Sequence, residues 1–172
     1  MHDQTEPINL FWTGGWDSTF RLLQLIIVFR KRVQPYYIID TTRKSVQNEK
    51  QAMIKIRELL FEKYPFSTSL LLPLKTSLLI DIKLNEEITK AYKRIIEKDK
   101  IGIQYEWLSQ FCYEHDISNL EICFEKSIHP EDNIVFRVFG AIVKIEDECG
   151  YHYELDDKRC LIILNYCLVD SI

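Results

Sequence analysis

Glycine and proline are scarce, five of each in 172 residues, which excludes collagen-like, linker-like and low-complexity readings. Cysteine is sparse as well. Cys112, Cys123, Cys149, Cys160 and Cys167 are odd in number and loosely spaced, with no pair two residues apart. The usual zinc knuckle is therefore missing and no zinc site is expected. Long apolar runs are absent: Leu22 to Phe29 is interrupted by Gln24, and Leu161 to Val169 contains Asn165. Both fall well short of the ~20 residues that a membrane span needs. The first residues, MHDQTEPINL, carry acid and no basic-then-apolar signal pattern. A cytoplasmic protein with reduced thiols and no membrane partner is expected. Basic excess is absent too, with 22 Lys and Arg against 26 Asp and Glu and a net charge of −4. Broad electrostatic binding of nucleic acid is not expected from that balance. His2, His115, His129 and His152 show no metal-ligand spacing and read as structural or solvent-exposed.

What is present is ordinary globular material, 47% apolar and 28% charged. The length is enough for one core without disulfides or metal. Ile8–Trp12 is a short apolar run suited to a buried strand, and Gly14 and Gly15 break it. A helix is expected over Ser18–Arg32, whose basic end suits the helix dipole. Tyr36–Ile39 reads as a second strand. Ser45 is placed to cap a helix with an apolar stripe through Val46, Met53, Ile56 and Leu60, stopped by Pro65. Ser67–Leu72 reads as a third strand, Asn85–Glu97 and Gln104–His115 as helices, and Leu120–Phe124 as a fourth strand. This alternation predicts a mainly parallel sheet with helices on both faces, a three-layer α/β/α sandwich with Ile8–Trp12 at its centre. After Pro130 the pattern turns β-like, in Ile134–Phe139, Ile142–Ile145 and Tyr151–Leu155. The acidic stretch Glu146–Glu148 reads as a solvated turn, and the apolar end CLIILNYCLVDSI as strand or helix.

Chemistry is concentrated in LFWTGGWDSTF, Leu10 to Phe20. A strand ends, two glycines turn the chain, and a helix begins near Asp17 or Ser18. Adjacent glycines let backbone approach a ligand closely, and the helix start presents free N–H groups and a positive dipole end. Thr13, Ser18 and Thr19 add hydroxyls, completing an anion cradle of the phosphate-binding kind. Gly15 is read as a position of positive φ, where a branched side chain would also fill the anion's space. The competing reading is a tight turn with Asp17 or Ser18 as a plain helix cap. No Lys lies between Leu10 and Val28, so this is not the GxxxxGK[ST] loop, and the GxGxxG fingerprint is also absent. Trp12 and Trp16 flank the loop; one stacks on a ligand or both pack.

TGGWDST resembles the SGGxDS signature of the PP-loop ATP pyrophosphatases, with Thr13 replacing the leading Ser. Within that superfamily the chain looks most similar to 7-cyano-7-deazaguanine synthases. The SerThr after Asp17, the strand end Asp40-Thr41-Thr42-Arg43 and the helix led by Gly102 carry that likeness. The resemblance implies an adenine nucleotide alpha hydrolase-like, HUP-type fold that binds ATP with Mg2+. The expected reaction is adenylation of a carboxylate or carbonyl oxygen on an unknown small-molecule acceptor, with release of pyrophosphate. Pyrophosphate would rest on Thr13, the Gly14 and Gly15 amides and Ser18, with Trp16 and Thr19 beside it. Asp17 and Ser18 would stand nearest the chemistry, Asp17 shaping the loop or holding magnesium. Ile39, Asp40 and Thr41 would contact the nucleoside, Arg43 a phosphate, and Gly102 a second ligand loop. The bland alternatives are an ordinary polar loop after Ile39, a Gly-containing helix start at Gly102, and a solvated pair at Glu125–Lys126.

The likeness places a nucleotide-binding unit at residues 1–130 and a β-rich C-terminal extension at 131–172, packed on that unit or associating from it. The chain departs from the deazaguanine synthases in lacking their four-cysteine zinc cluster, and Ile103 and Gln104 replace the Arg and Asn of their second loop. Either the chain is a truncated or divergent member, or a second copy or a partner chain supplies the missing elements. The alternative to an enzyme is a nucleotide-binding module without turnover, acting in a complex.

Overall fold

The computed structural model describes residues 6–98, 101–125, 142–147, 150–155 and 166–169, with side chains through Cys123. Strand β1 (Ile8–Phe11) lies between β2 (Val33–Ile39) and β4 (Leu120–Glu125) and runs parallel to both. Outside β2 lies β3 (Lys75–Leu78), also parallel. Beyond β4 the sheet continues through β7 (Tyr166–Val169), parallel to β4, then β6 (Gly150–Leu155) and β5 (Ile142–Asp147), joined antiparallel. The order is β3-β2-β1-β4-β7-β6-β5. The expected strand at Ile134–Phe139, the pair partner Lys126 and most of the apolar end lie outside the described residues.

Period-2 alternation assigns the two faces. Leu10, Trp12, Val33 and Tyr37 point to one side, where they meet Leu22, Leu25 and Ile26 after the first loop and Met53 and Leu60 of α2 (Val46–Lys63). Tyr36, Ile38, Leu120 and Ile122 point to the other, against Tyr105, Leu108 and Phe111 of α4 (Gln104–Glu114), with Tyr92 and Ile95 of α3 (Glu86–Ile96) beside them. So α1 (Trp16–Leu23) and α2 cover one face while the chain moves outward from β1 to β3. Helices α3 and α4 cover the opposite face before the chain returns to the far side of β1. This change of face with change of direction is what right-handed crossovers require. Every residue from Val33 to Ile38 is buried, as expected of a strand covered on both faces.

Two expectations are corrected. The helix after the loop does not reach Arg32. It is α-helical through Leu23 and continues as a π turn, Gln24–Val28. Arg30 then adopts φ 56°, with its guanidinium 3.6 Å from the Phe66 ring centroid. The third strand is Lys75–Leu78, not Ser67–Leu72. Pro65–Ser69 forms a 3-10 turn in which Thr68 and Ser69 hydroxyls donate to the carbonyls of Pro65 and Phe66 at 2.8 and 2.9 Å. Hydroxyl side chains that satisfy local backbone in this way compete with strand formation. Leu71 makes only an isolated bridge to Val33, and Pro73 has no N–H to extend it.

The remaining helices begin and end much as read. Asn85 caps α3, its side-chain oxygen accepting from the Glu87 and Ile88 amides. Gln110, 1% exposed, ties α4 to that cap: it accepts from the Asn85 amide at 2.6 Å and donates to the Asn85 carbonyl and the Thr89 hydroxyl. Among the described residues no helix is long and apolar enough to cross a membrane.

Candidate functional site

The loop between β1 and α1 is built by its two glycines in different ways. Gly14 has φ 73°, and a Cβ there would sit 3.0 Å from both the Glu49 carbonyl oxygen and Met53 Cγ. Gly14 therefore lets the loop close against α2, and its role is packing. Gly15 has φ −71° and ψ 167°, extended backbone open to any residue. The expectation of positive φ at Gly15 is thus corrected, because the sharp reversal falls one residue earlier. A Cβ on Gly15 would meet the Thr13 hydroxyl at 3.3 Å.

Gly15 is also the N-cap of α1, so Asp17 and Ser18 lie inside its first turn and neither is the cap. No side chain caps this helix, and its first amides keep no partner of that kind. Ser18 is 7% exposed, yet its hydroxyl has only long contacts: 3.4 Å from the Thr13 amide and 3.5 Å from the Thr13 hydroxyl and Gly15 carbonyl. Well-formed hydroxyl hydrogen bonds are about 2.5–3.0 Å. The hydroxyl is thus enclosed without being strongly engaged.

These groups open on a cleft of about 290 Å³ at the carboxyl edge of the sheet. Thr13, Gly15, Trp16, Asp17 and Ser18 form its polar end. Phe11, Ile122 and Cys123 from β1 and β4 form the floor, and Gln104, Trp107 and Leu108 of α4 the opposite wall. Phe11 and Trp107 touch edge to face, with ring centroids 6.0 Å apart. The chain leaves β1 toward β2 on one side and comes back to β4 on the other, so the cleft sits at the topological switch point. Open α/β sheets bind ligands in that crevice. Below it, the buried Arg21 guanidinium grips Glu121 of β4 with bonds of 3.0 and 3.2 Å and donates to Gln24 at 2.8 Å, holding α1 on the strand. That long-range pair carried no signal in the sequence.

The loop after β2 is arranged otherwise. The Asp40 carboxylate accepts from the Thr42 amide at 2.9 Å and the Thr42 hydroxyl at 2.6 Å. Those two bonds, the hydroxyl's first, hold its pKa below the ordinary aspartate value. Arg43 Nη2 donates to the Ser45 hydroxyl at 3.1 Å and pairs with Glu49, while the Tyr37 hydroxyl donates to the second Glu49 oxygen at 2.6 Å. Burial, then the bond to Glu49, raises the Tyr37 pKa, so the phenol stays a donor. Ser45 occupies the N-cap of α2 but its hydroxyl does not cap it.

Of the residues singled out by sequence, the cleft gathers Thr13, Gly15, Trp16, Asp17, Ser18 and Arg43. Trp16 is 84% exposed at the rim, whereas Trp12 is buried and donates its indole N–H to the Thr19 hydroxyl at 3.0 Å. Thr19 is thereby turned toward the core. Gly14, Ile39, Asp40, Thr41 and Gly102 do not line the cleft; from the Gly102 segment it is Gln104 that does. Sequence reasoning missed Phe11, Trp107, Leu108, Ile122 and Cys123, which one sheet edge brings together.

Asp17 is the carboxylate among the lining residues. Among the described residues no group of three His, Cys, Asp or Glu could hold a metal ion. That donor set fits a magnesium ion carried mainly by ligand phosphates and water, with one carboxylate from the protein.

No protein-family model, curated protein or solved structure matches the chain.

Proposed function

We propose that this is an ATP-binding protein of the PP-loop type, with a HUP-like fold, that adenylates a carboxylate or carbonyl oxygen and releases pyrophosphate. The observation that carries the reading is the uncapped start of α1. With the enclosed Ser18 hydroxyl and Thr13, it opens at the β1/β4 switch point. Such a start favours an anion through its N–H groups and its dipole.

In the reaction an acceptor oxygen attacks the α-phosphorus and the bond to the bridging oxygen of the β-phosphate breaks. Negative charge grows on the departing pyrophosphate. The Gly15–Ser18 amides, the Thr13 and Ser18 hydroxyls and Arg43 are the groups available to meet it, already oriented before the charge appears. Magnesium, when bound, would neutralise phosphate oxygens, with Asp17 as its protein ligand. The apolar floor of Phe11 and Ile122 would keep bulk water from the adenylate.

One observation favours binding without turnover. The lining contains no lysine, and its arginine is ion-paired with Glu49, a thin cationic complement for a polyphosphate. Titration with magnesium ATP tests the shared part of both readings. The parent is expected to bind and to gain about 2.7 kcal/mol of stability at a hundred times Kd. Gly15→Val is expected to abolish binding while unfolding as the parent does. Equal binding by parent and variant would refute the cradle. Pyrophosphate release in the presence of small carboxylic acids then separates enzyme from binding module.

A further inference from the structure

Arg43 enters the cleft from the loop after β2, and two residues outside the cleft hold it. Its side chain is 47% exposed, while Glu49, its partner in the first turn of α2, is 16% exposed. Both Glu49 oxygens are engaged, one by Arg43 Nη2 and the other by the Tyr37 hydroxyl. Tyr37 is 1% exposed in the interior of β2, so the chain Tyr37–Glu49–Arg43 runs from the core to the cleft. The Arg43 hydrogen bonds within the protein use Nη2 alone, to Ser45 and Glu49. Nε and Nη1 have no acceptor among the described residues, so their N–H groups are left for a ligand anion. A charged N–H donor makes a strong hydrogen bond to a phosphate or carboxylate oxygen.

We infer that Tyr37 and Glu49 are positioning residues that hold Arg43 so that its Nε and Nη1 donors face the anion bound in the cleft. The inference rests on the anion-binding reading proposed above. It adds a role for a buried tyrosine and a helix carboxylate that do not themselves line the cleft. A carboxylate beside a cationic anion-binder would weaken the cation's field, yet it fixes the guanidinium in place. Fixing wins where the ligand is held by those donors, because an unanchored arginine must be ordered when the ligand binds.

The test uses the whole chain, with magnesium ATP and inorganic pyrophosphate as probes. Arg43→Ala is expected to weaken both about tenfold or more. Glu49→Gln, which keeps size and hydrogen bonding, is expected to weaken them about three- to tenfold, and Tyr37→Phe less, in the same direction. In the Arg43→Ala background, Glu49→Gln should change affinity by less than about twofold, since a positioning residue has nothing left to position. A ligand-free measurement runs in parallel: the Arg43 Nε–H resonance should show restricted rotation in the parent and averaging in Glu49→Gln. Restricted rotation that survives Glu49→Gln, or an affinity loss that adds in full to that of Arg43→Ala, overturns the positioning role while leaving the nucleotide reading intact. A parent that binds neither probe overturns both.

Discussion

The loop after β1 and the loop after β2 leave the same edge of the sheet, but they treat their polar groups in opposite ways. In the first, the α1 amides are uncapped and the Ser18 hydroxyl has contacts only at 3.4–3.5 Å. In the second, Asp40 is closed on Thr42 at 2.6 and 2.9 Å, and Arg43 is tied to Ser45 and Glu49. Both segments offer a ligand-loop reading in the sequence, the second beside that of an ordinary polar loop. On the proposed reading, ligand contact therefore falls to the loop whose hydroxyl and amide hydrogen bonds are left unmade. A network that satisfies itself shapes backbone. Arg43 is the exception that joins the two, since it closes on Glu49 and still lines the cleft.

The sharpest way to break this comparison is at the two glycines. Gly14→Val should destabilise the fold by about 2–4 kcal/mol, from left-handed strain and overpacking against Glu49 and Met53. Gly15→Val should cost little stability. Urea unfolding of both variants checks this, and comparable losses would erase the division of labour between packing and ligand approach. Ser18→Ala comes next. Removal of its hydroxyl should lower magnesium ATP affinity about ten- to a hundredfold, the weight of a charged hydrogen bond at ~1.5–3 kcal/mol. Its folding stability should shift by less than about 1 kcal/mol, because the hydroxyl has only long partners in the protein. A loss of stability with unchanged affinity would make Ser18 a structural residue like Asp40.

The part of the site that was legible in the sequence is the part that is local in the chain. A buried run, Gly14-Gly15 and a hydroxyl-rich helix start lie within a dozen residues, so strand, turn and helix could be read together. The glycine roles were not legible, because the Cβ clash at Gly14 comes from Glu49 and Met53 on another helix. The cleft's floor and far wall were not legible either. Ile122 and Trp107 meet Phe11 only because β4 returns to β1, a pairing fixed by register contacts such as Leu10 with Glu121. The strand misplaced at Ser67–Leu72 has a local cause. Its hydroxyls bond backwards and Pro73 breaks the ladder, so the pairing with Tyr36–Ile39 restarts at Lys75. Strand–helix alternation still yielded the parallel core with β1 inside it, because burial on both faces demands continuous apolar runs.

Asp17→Asn sharpens the first loop further. The side chain lines the cleft inside the first turn of α1 and is not its cap, so Asn should leave the helix start unchanged. If Asp17 is the protein's ligand to magnesium, ATP affinity measured with magnesium should fall roughly tenfold, about 1.4 kcal/mol. Without magnesium it should hold or rise, because a negative charge near the phosphates is gone. Titrations with and without the metal check the pair, and equal changes in both would remove Asp17 from any metal role.

The smallest expected effect tests the second loop through pH. The bonds from Thr42 favour the charged form of Asp40 and place its folded pKa below the unfolded value, which is about 3.9. Its stabilising contribution is therefore fully present above about pH 4 and is lost as pH falls through the lower folded value. Asp40→Asn keeps a side-chain oxygen for the Thr42 amide but removes the charge. Its stability curve should accordingly be flatter than the parent's on the acid side, with a slight loss at neutral pH. Urea midpoints from roughly pH 7 to pH 3 would show it. Magnesium ATP affinity at neutral pH should not change, because Asp40 Oδ1 takes both Thr42 donors and Asp40 lies outside the cleft lining. An affinity loss in Asp40→Asn as large as that of Ser18→Ala would show that the closed loop recognises ligand after all. The contrast between made and unmade hydrogen bonds would then no longer separate the two loops.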